Sequence, residues 1–231
     1  MNGNGFSKAE LRNLIHSPKG ILGMTLFVIL ANFFFKLFFL TDAGLNYDEI
    51  FSVYYAQGSK SSIRSVGIWD ISAPFYYHTL HYWEELFGVG EASVRIFNIV
   101  LNALAGGSLY FFVRRYFGFF SAILASVLFF SSNILFFYAQ EVRPYALLLL
   151  FSIISSGLFL EILKKPKWWL FIPLGILNWA AIYSHYLFVL IPFFQTILVI
   201  AYWKRKSIIY FGLSGFLTLG IFYDWIWRMI E

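Results

Sequence analysis

Long apolar segments separated by short polar breaks dominate the chain from residue 21 onward. Seven of them approach the roughly 20 mainly apolar residues that a helix needs to cross a membrane. In hydrocarbon each segment must be helical, because every backbone polar group needs a partner within it. The predicted spans are Ile21–Leu40, Val94–Val113, Phe117–Tyr138, Pro144–Leu163, Trp168–Tyr183, Tyr186–Trp203 and Ile208–Trp227. The pattern therefore predicts an all-α, polytopic integral membrane protein.

The longest segment outside these spans, residues 41–93, contains the pattern of two amphipathic helices. The first begins after Asn46, a residue type that caps helix N-termini, and ends at Gly58. The second begins at Pro74 and ends at Gly88. Both are rich in tyrosine or tryptophan, which is typical of helices that lie in the membrane interface. We therefore predict two juxtamembrane helices in the first loop.

Composition and charge support this organisation. The chain is 60% hydrophobic and only 13% charged, whereas soluble domains contain about 25% charged residues. Most of the 17 lysines and arginines flank the predicted spans on one side, which the positive-inside rule makes cytoplasmic. The net charge of +5 is thus a topology signal and not a nucleic-acid-binding surface. The chain has no cysteine, which excludes disulfides and thiolate metal sites.

The charge pattern also divides the chain into regions. We predict a cytoplasmic N-terminal segment at residues 1–20 and a transmembrane module at residues 21–231, with residues 41–93 on the external face. Most acidic residues fall on that face. The absence of a retention signal favours the plasma (inner) membrane of a prokaryote.

Two pairs of charged residues on the external face are candidates for chemistry. Asp48 and Glu49 begin the first amphipathic helix, where capping and the helix dipole, worth about 0.3–1 kcal/mol, explain them without any chemistry. A carboxylate there is alternatively a general base for a hydroxyl or amine. Glu141 and Arg143 occupy a polar break between two spans. They are either a surface pair or an arginine directed at an anion with an acid that orients it.

Other polar residues have less specific patterns. His78, His81 and Glu85 share one face of the second amphipathic helix, a spacing that permits a metal ion but matches no fixed ligand motif; we predict no metal site. Lys36 lies near the outer end of the first span and is expected to extend outward. Four asparagines within the spans are expected to pack helices together. They are Asn98, Asn102, Asn133 and Asn178.

Four stretches together resemble a known family of enzymes. They are YDEIFSVYYAQ, APFYYHTLHYWEELFGVGEASVRIFNIVLNALAG, RRYFGFFSAILASVLFFSSNILFFYAQEVRPYALLLL and YSHYLFVLIPFFQ. Within them stand, in order, DE, P-x-Y-Y, G-x-x-E-x-x-x-R and Q-E-x-R-P-Y. From about Asn46 to about Gln195 the chain resembles the GT-C membrane glycosyltransferases. The resemblance is greatest to the group that contains protein O-mannosyltransferases and the aminoarabinose transferases of lipid A.

This resemblance implies an inverting transfer of a sugar from a polyprenyl phosphate to a lipid, glycan or protein acceptor on the external face. Asp48 matches the catalytic base and Glu49 its acidic neighbour. Arg95 and Arg143 match positions that contact the lipid phosphate, and Tyr145 and His185 match residues of the same cleft. To these the external face adds Asp70, His81 and Glu141. The reaction requires no cofactor, and the sequence does not support a divalent cation.

The chain departs from the family in two respects. Where relatives often have H-P-P, Ser72 and Ala73 precede Pro74, so Asp70 is the nearest acid. Relatives usually continue with further spans, and we expect that C-terminal part to be absent or supplied by a partner chain. Two alternatives stay open, a non-catalytic module that binds polyprenyl lipid or a partner chain, and a transporter. A transporter is disfavoured because the chain has no internal repeat.

Overall fold

The computed structural model describes residues 16–40, 43–59, 63, 74–202 and 204–230. These residues are mostly helical and include no strand, which confirms the all-α class. The α-helices are α1 Pro18–Phe38, α2 Tyr47–Ala56, α3 Pro74–Phe87, α4 Glu91–Phe117, α5 Phe119–Ser131, α6 Asn133–Gln140, α7 Tyr145–Lys164, α8 Phe171–Ile182, α9 Leu190–Tyr202 and α10 Arg205–Ile230. Short 3-10 helices at Trp168–Leu170 and Tyr186–Val189 precede α8 and α9.

Helix α4 is the centre of the packing, because α1, α3, α5, α6 and α7 all contact it. Two glycines of α4 allow α1 to approach closely. A Cβ atom at Gly106 would lie 2.5 Å from Asn32 Nδ2, and a Cβ atom at Gly107 would overlap the Ile29 side chain. Close packing at small residues is a main source of helix association in lipid. Helices α8, α9 and α10 join this group through α7.

The structure does not confirm the predicted number of spans. Among the described residues, α1, α4 and α7 are long and apolar enough to cross a membrane, and α5 with α6 forms a fourth candidate that bends by 62° at Ser132. The apolar segments Trp168–Ile182 and Tyr186–Tyr202 are shorter, since a turn at residues 183–185 separates them. Each predicted segment coincides with one or two helices, but seven spans are not confirmed.

The two amphipathic helices of the first loop are present as α2 and α3, with the predicted starts. The Asn46 side chain accepts a hydrogen bond from the Glu49 backbone N–H at 3.0 Å, and the Glu49 carboxylate accepts one from the Asn46 N–H at 2.9 Å. This reciprocal pair is a capping box. Helix α3 begins at Pro74 and is followed by Gly88, whose φ of 81° favours glycine.

Amides within the long helices connect neighbouring helices, as predicted for three of the four asparagines. Asn102 donates to the Leu135 carbonyl at 3.3 Å, and Ser155 donates to Asn178 Oδ1 at 2.8 Å. Asn98 is equally buried and contacts the segment after α6. The exception is Asn133, which is exposed at the start of α6.

Lys36 does not extend outward, so that prediction is wrong. Its side chain is fully buried, donates to Asn102 Oδ1, and lies 5.2 Å above the centre of the Phe129 ring. The amide on α4 offers an acceptor inside the helix packing, where an unpartnered ammonium group would be costly. Lys36 thus connects α1 to α4.

Candidate functional site

A cavity of about 450 Å³ lies where the ends of α1 and α6 meet the starts of α2 and α4. We call it the charged cavity. Its lining combines polar residues with phenylalanines, two of which, Phe39 and Phe137, are at least half exposed. The lining residues are Phe39, Ala43, Gly44, Asn46, Glu49, Arg95, Phe136, Phe137, Gln140 and Glu141. The cavity therefore offers charged groups beside an apolar surface.

Glu49 is the most constrained side chain in the cavity wall, with 3% of its surface exposed. Its Oε2 accepts from the Asn46 N–H, and its Oε1 accepts from the Val142 N–H at 3.0 Å. The guanidinium of Arg95 lies 3.4 Å from Oε2. One carboxylate thus joins the start of α2 to α4 and to the turn after α6. Such complete coordination is what a buried charge requires.

Arg95 is buried in the same wall, and its charge is balanced within the protein. Its Nη2 lies 3.3 Å from Glu91 Oε1, in addition to the contact with Glu49. The same nitrogen donates to the Ala43 carbonyl at 2.8 Å. Its Nε atom has no hydrogen-bond partner among the described residues. One end of the Arg95 guanidinium, Nη2, thus joins Glu49 and Glu91 to the loop before α2.

The turn between α6 and α7, which carries Glu141 and Arg143, is fixed by Asn98. The Asn98 amide donates to the carbonyls of Glu141 and Arg143, the latter at 3.1 Å. The hydroxyl of Tyr76 on α3 donates to Asn98 Oδ1 at 3.0 Å. Asn98 thus binds two carbonyls of this turn, and the Glu141 carbonyl also accepts from the Arg143 N–H at 2.8 Å. The turn is consequently held at a defined place beside the cavity.

Glu141 has an electrostatic environment that disfavours its ionised form. Its Oε2 is buried without a hydrogen-bond partner among the described residues. Burial raises the pKa of this carboxyl above its usual value, and the negative charge of Glu49 raises it further. Arg143 lowers the pKa and Asp48 raises it, each by a smaller amount. Asp48, Glu49, Glu141 and Arg143 thus lie within electrostatic reach of one another.

The family model for dolichyl-phosphate-mannose-protein mannosyltransferases matches residues 71–227, well over half of the 231 residues. The chain belongs to this family. The family consists of membrane glycosyltransferases that use a lipid-linked sugar donor. No curated protein and no solved structure matches the chain. The matched residues include Arg95, Glu141 and Arg143 but begin after Asp48 and Glu49. The assignment of these two acids to the site is therefore based on its geometry and on the DE motif.

Within this member of the mannosyltransferase family, the two neighbouring acids of α2 have opposite environments. Asp48 is exposed, whereas Glu49 is enclosed in the wall of the charged cavity. Successive side chains of a helix point about 100° apart around its axis. One of two neighbouring carboxylates can therefore face the protein while the other faces the surface. Asp48 is therefore the acid that is open to a substrate.

Tyr145 and His185, which the family resemblance assigned to one cleft, lie close together. Their ring centres lie 6.2 Å apart, and Tyr138 lies 4.7 Å from Tyr145. His185 is 5% exposed and its Nδ1 accepts from the Leu187 N–H at 3.2 Å. Tyr145 lies two residues after Arg143 at the start of α7, Tyr138 lies on α6, and His185 precedes the 3-10 helix before α9. None of the three lines the charged cavity. These three rings form an aromatic group beside the turn that carries Arg143.

His81 lies away from the charged cavity. Its Nδ1 is 2.7 Å from the Ala56 carbonyl, and its Nε2 is 3.3 Å from Glu85, so the ring connects α3 to the end of α2. Among the described residues, no three side chains that could bind a metal ion come together. This holds for His78, His81 and Glu85 as well. Asp70 lies outside the described residues.

Sequence reasoning missed three components of the site. Asn98 was expected only to pack helices, yet it positions the arginine turn. Gln140, which donates to the Phe39 carbonyl at 2.8 Å, was part of the Q-E-x-R-P-Y motif without an assigned contact. The third component is the backbone N–H of Val142, and the identity of a side chain does not reveal a contact made by the backbone. Only the motif marked this segment.

The contacts of Glu49 lead to a prediction on stability. Replacing it by alanine leaves Arg95 partly uncompensated and the Val142 N–H without an acceptor. Because removing one partner of a buried pair is strongly destabilising, we expect Glu49→Ala to lose about 3 kcal/mol. Thermal unfolding of the purified chain in detergent measures the loss. Asp48→Asn is the matched control and should change the unfolding temperature little; equal losses in both variants would contradict the assignment.

The raised pKa of Glu141 leads to a prediction on pH dependence. A carboxyl with a raised pKa destabilises the fold as it ionises. The cost is absent below the usual value of 4.5 and grows as the pH rises above it. Glu141→Gln should therefore unfold at a higher temperature than wild type at neutral pH, and the difference should disappear near pH 4. Glu85→Gln removes an exposed acid and should show no such gain.

Proposed function

We propose that this chain transfers a sugar from a polyprenyl-phosphate donor to a hydroxyl acceptor at the external membrane face, with inversion. The family supplies the class of donor. The observation that carries the proposal is the charged cavity, in which buried charged groups adjoin exposed phenylalanines. A lipid phosphate has the same two parts, an anion and a hydrocarbon chain. The match in chemistry favours this substrate over a water-soluble one.

Arg143 is the residue that we assign to the phosphate; it does not line the charged cavity but follows the lining residue Glu141 by two positions. Arg95 is already engaged by Glu49 and Glu91, so its charge is compensated within the protein. Arg143 is half-buried, and its backbone is held by Asn98. A guanidinium forms strong paired hydrogen bonds with phosphate oxygens. In this assignment Arg95 shapes the cavity wall and supports the site indirectly.

Asp48 is the proposed general base. Its carboxylate accepts the proton of the acceptor hydroxyl, and the hydroxyl oxygen forms a bond to the anomeric carbon of the sugar. The bond from that carbon to the phosphate oxygen breaks, and the polyprenyl phosphate leaves with the electron pair. One displacement inverts the configuration, and positioning plus one base suffices for it. No protein nucleophile and no cofactor are needed.

The orientation follows from the position of the basic residues. Arg114 donates to His16 at 3.0 Å, Arg115 pairs with Glu161, and Lys204 reaches the Leu163 carbonyl. These contacts collect the lysines and arginines at the end of the helices opposite the charged cavity. The positive-inside rule makes the basic end cytoplasmic. The cavity then opens on the external face of the plasma membrane.

A non-catalytic module that binds polyprenyl phosphate is the second candidate. It is favoured by one observation, which is that the charges of Glu49 and Arg95 are balanced by contacts within the protein. In that case Asp48 would cap α2 and have no chemical role. The two candidates share the lipid site and differ only in turnover, so they are separated by the variants below.

The first test concerns binding. We expect Arg143→Ala to weaken binding of polyprenyl phosphate to the purified chain in nanodiscs by about 10- to 100-fold, the worth of a charge-assisted hydrogen bond. Arg115→Ala removes a half-exposed arginine at the opposite end and is the matched control. If both variants bind like wild type, Arg143 does not hold the phosphate.

The second test concerns turnover. Asp48→Asn keeps the size of the side chain but removes the base, so we expect binding of the lipid phosphate to persist and transfer to fall by about 10²- to 10⁴-fold. The measurement is release of polyprenyl phosphate from a polyprenyl-phosphate-linked mannose in membranes. If wild type and Asp48→Asn transfer the sugar equally well, Asp48 is not the base. Binding without any transfer by wild type would support the non-catalytic module.

A further inference from the structure

A groove of about 290 Å³ runs between α4 and α7 near the C-terminal ends of both helices, whereas the charged cavity lies at the start of α4. We call it the α4–α7 groove. Five residues of α4 between positions 109 and 117 and five of α7 between positions 152 and 160 line it. Most of them are apolar, and the Ser152 hydroxyl donates to the Leu148 carbonyl of its own helix at 2.8 Å. The groove therefore offers a hydrocarbon surface.

Gly157 sets the depth of the groove. A Cβ atom at this position would overlap the ring of Phe112, so the missing side chain lets that ring lie against α7. The Tyr116 hydroxyl donates to the Gly157 carbonyl at 3.5 Å. On the rim, Ser156 and Phe117 are exposed. The groove is thus closed by packed side chains at its floor and open along its rim.

Lys164, the last residue of α7, lies at the mouth of the groove. Its Nζ is 4.6 Å from the centre of the Tyr116 ring and 5.9 Å from that of Phe117, and both rings line the groove. The nearby carboxylate of Glu161 is balanced by its ion pair with Arg115. Lys164 has no ion pair with any acid of the described residues. A positive charge without a counter-charge therefore lies where the apolar lining ends.

The length of the groove matches one leaflet of a bilayer. From position 109 to position 117 it covers roughly 12 Å of α4, at 1.5 Å per residue. One leaflet contributes about 15 Å of hydrocarbon, which is half of the bilayer core. The mouth lies at the basic end of the helices, so the groove covers the depth of the acyl chains in the leaflet at that end. Its dimensions suit one acyl chain with a headgroup beside Lys164.

The charges at this end favour a lipid over a second copy of the chain as the occupant. Copies in one membrane share the same orientation, so the lysines of a second copy would lie beside those of the first and repel them. These exposed residues include Lys164, Lys165 and Lys167. A phospholipid with a net negative charge brings a phosphate to the lysines and hydrocarbon to the groove. Both parts of the site are then matched by one ligand.

We propose that the α4–α7 groove binds an anionic phospholipid from the leaflet at the basic end. One acyl chain lies between α4 and α7 over Phe112 and Gly157, and the phosphate contacts the ammonium group of Lys164. This lipid is a different molecule from the sugar donor and takes no part in the transfer step. It connects the ends of two helices that both carry residues of the charged end of the protein.

The test measures which phospholipid the purified chain retains. Nanodiscs contain equal amounts of phosphatidylglycerol, which is anionic, and phosphatidylcholine, which has no net charge, with identical acyl chains. Native mass spectrometry after release from the disc counts the lipids bound. Wild type should retain phosphatidylglycerol in preference. Lys164→Gln should lower the ratio of the two lipids about fivefold, the effect of one lysine at a membrane surface.

Lys167→Gln is the matched control for the charge. Lys167 is exposed at the same end, and its Nζ also lies over an aromatic ring, 5.8 Å from the centre of Trp169, which does not line the groove. This variant should keep the wild-type ratio.

A second variant tests the acyl-chain site. Ser156→Trp fills the groove from its exposed rim and should lower retention of phosphatidylglycerol about fivefold or more, because an indole and an acyl chain cannot occupy the same space. Leu104→Trp places the same ring at an exposed position of α4 outside the lining and should retain the lipid like wild type.

Three results would overturn the inference. Equal retention of the two lipids by wild type would remove the preference for an anion. Equal losses in Lys164→Gln and Lys167→Gln would show an attraction spread over the whole basic end. Unchanged retention in Ser156→Trp would place the lipid elsewhere, and a dimer that this variant converts to a monomer would assign the groove to a second copy. The polyprenyl-phosphate site is tested separately by Arg143→Ala.

Discussion

The site depends on the coordination of one buried carboxylate. Glu49 accepts backbone hydrogen bonds from Asn46 and Val142 and lies against the guanidinium of Arg95. A charge in this position is tolerated only when it is fully coordinated, so three separate segments must meet at the same point. The start of α2, the wall of α4 and the turn after α6 are therefore fixed relative to one another, and the charged cavity is the space that remains between them.

The same coordination separates two roles that the sequence places side by side. The DE pair is adjacent in the chain, but helix geometry directs its members about 100° apart. Glu49 is buried and its contacts hold the surrounding segments together, whereas Asp48 is exposed. The two arginines differ in a similar way, since Arg95 is balanced by two acids and Arg143 is positioned through its backbone. In the proposed function, one residue of each pair builds the site and the other faces the substrate.

Local features of the fold were predictable from the sequence, and long-range contacts were not. The capping residue Asn46, the starting Pro74 and the apolar runs define helices through interactions within a few residues. Glu49 and Val142 are far apart in the chain, and a backbone N–H has no side chain to reveal it. Lys36 was misjudged because its acceptor, Asn102, belongs to another helix. Seven spans are not confirmed, because a turn and a sharp bend interrupt the apolar runs within the described residues.

The charges around the cavity also constrain what can bind there. Glu49 and Arg95 are compensated by their neighbours, which leaves Glu141 and Arg143 to set the local balance. If Glu141 were ionised, it would oppose an incoming phosphate and compete for Arg143. Burial and the charge of Glu49 raise its pKa, which reduces the repulsion that this carboxyl offers to an anion. In the proposed function Arg143 binds the phosphate, and the exposed phenylalanines of the charged cavity adjoin the hydrocarbon chain.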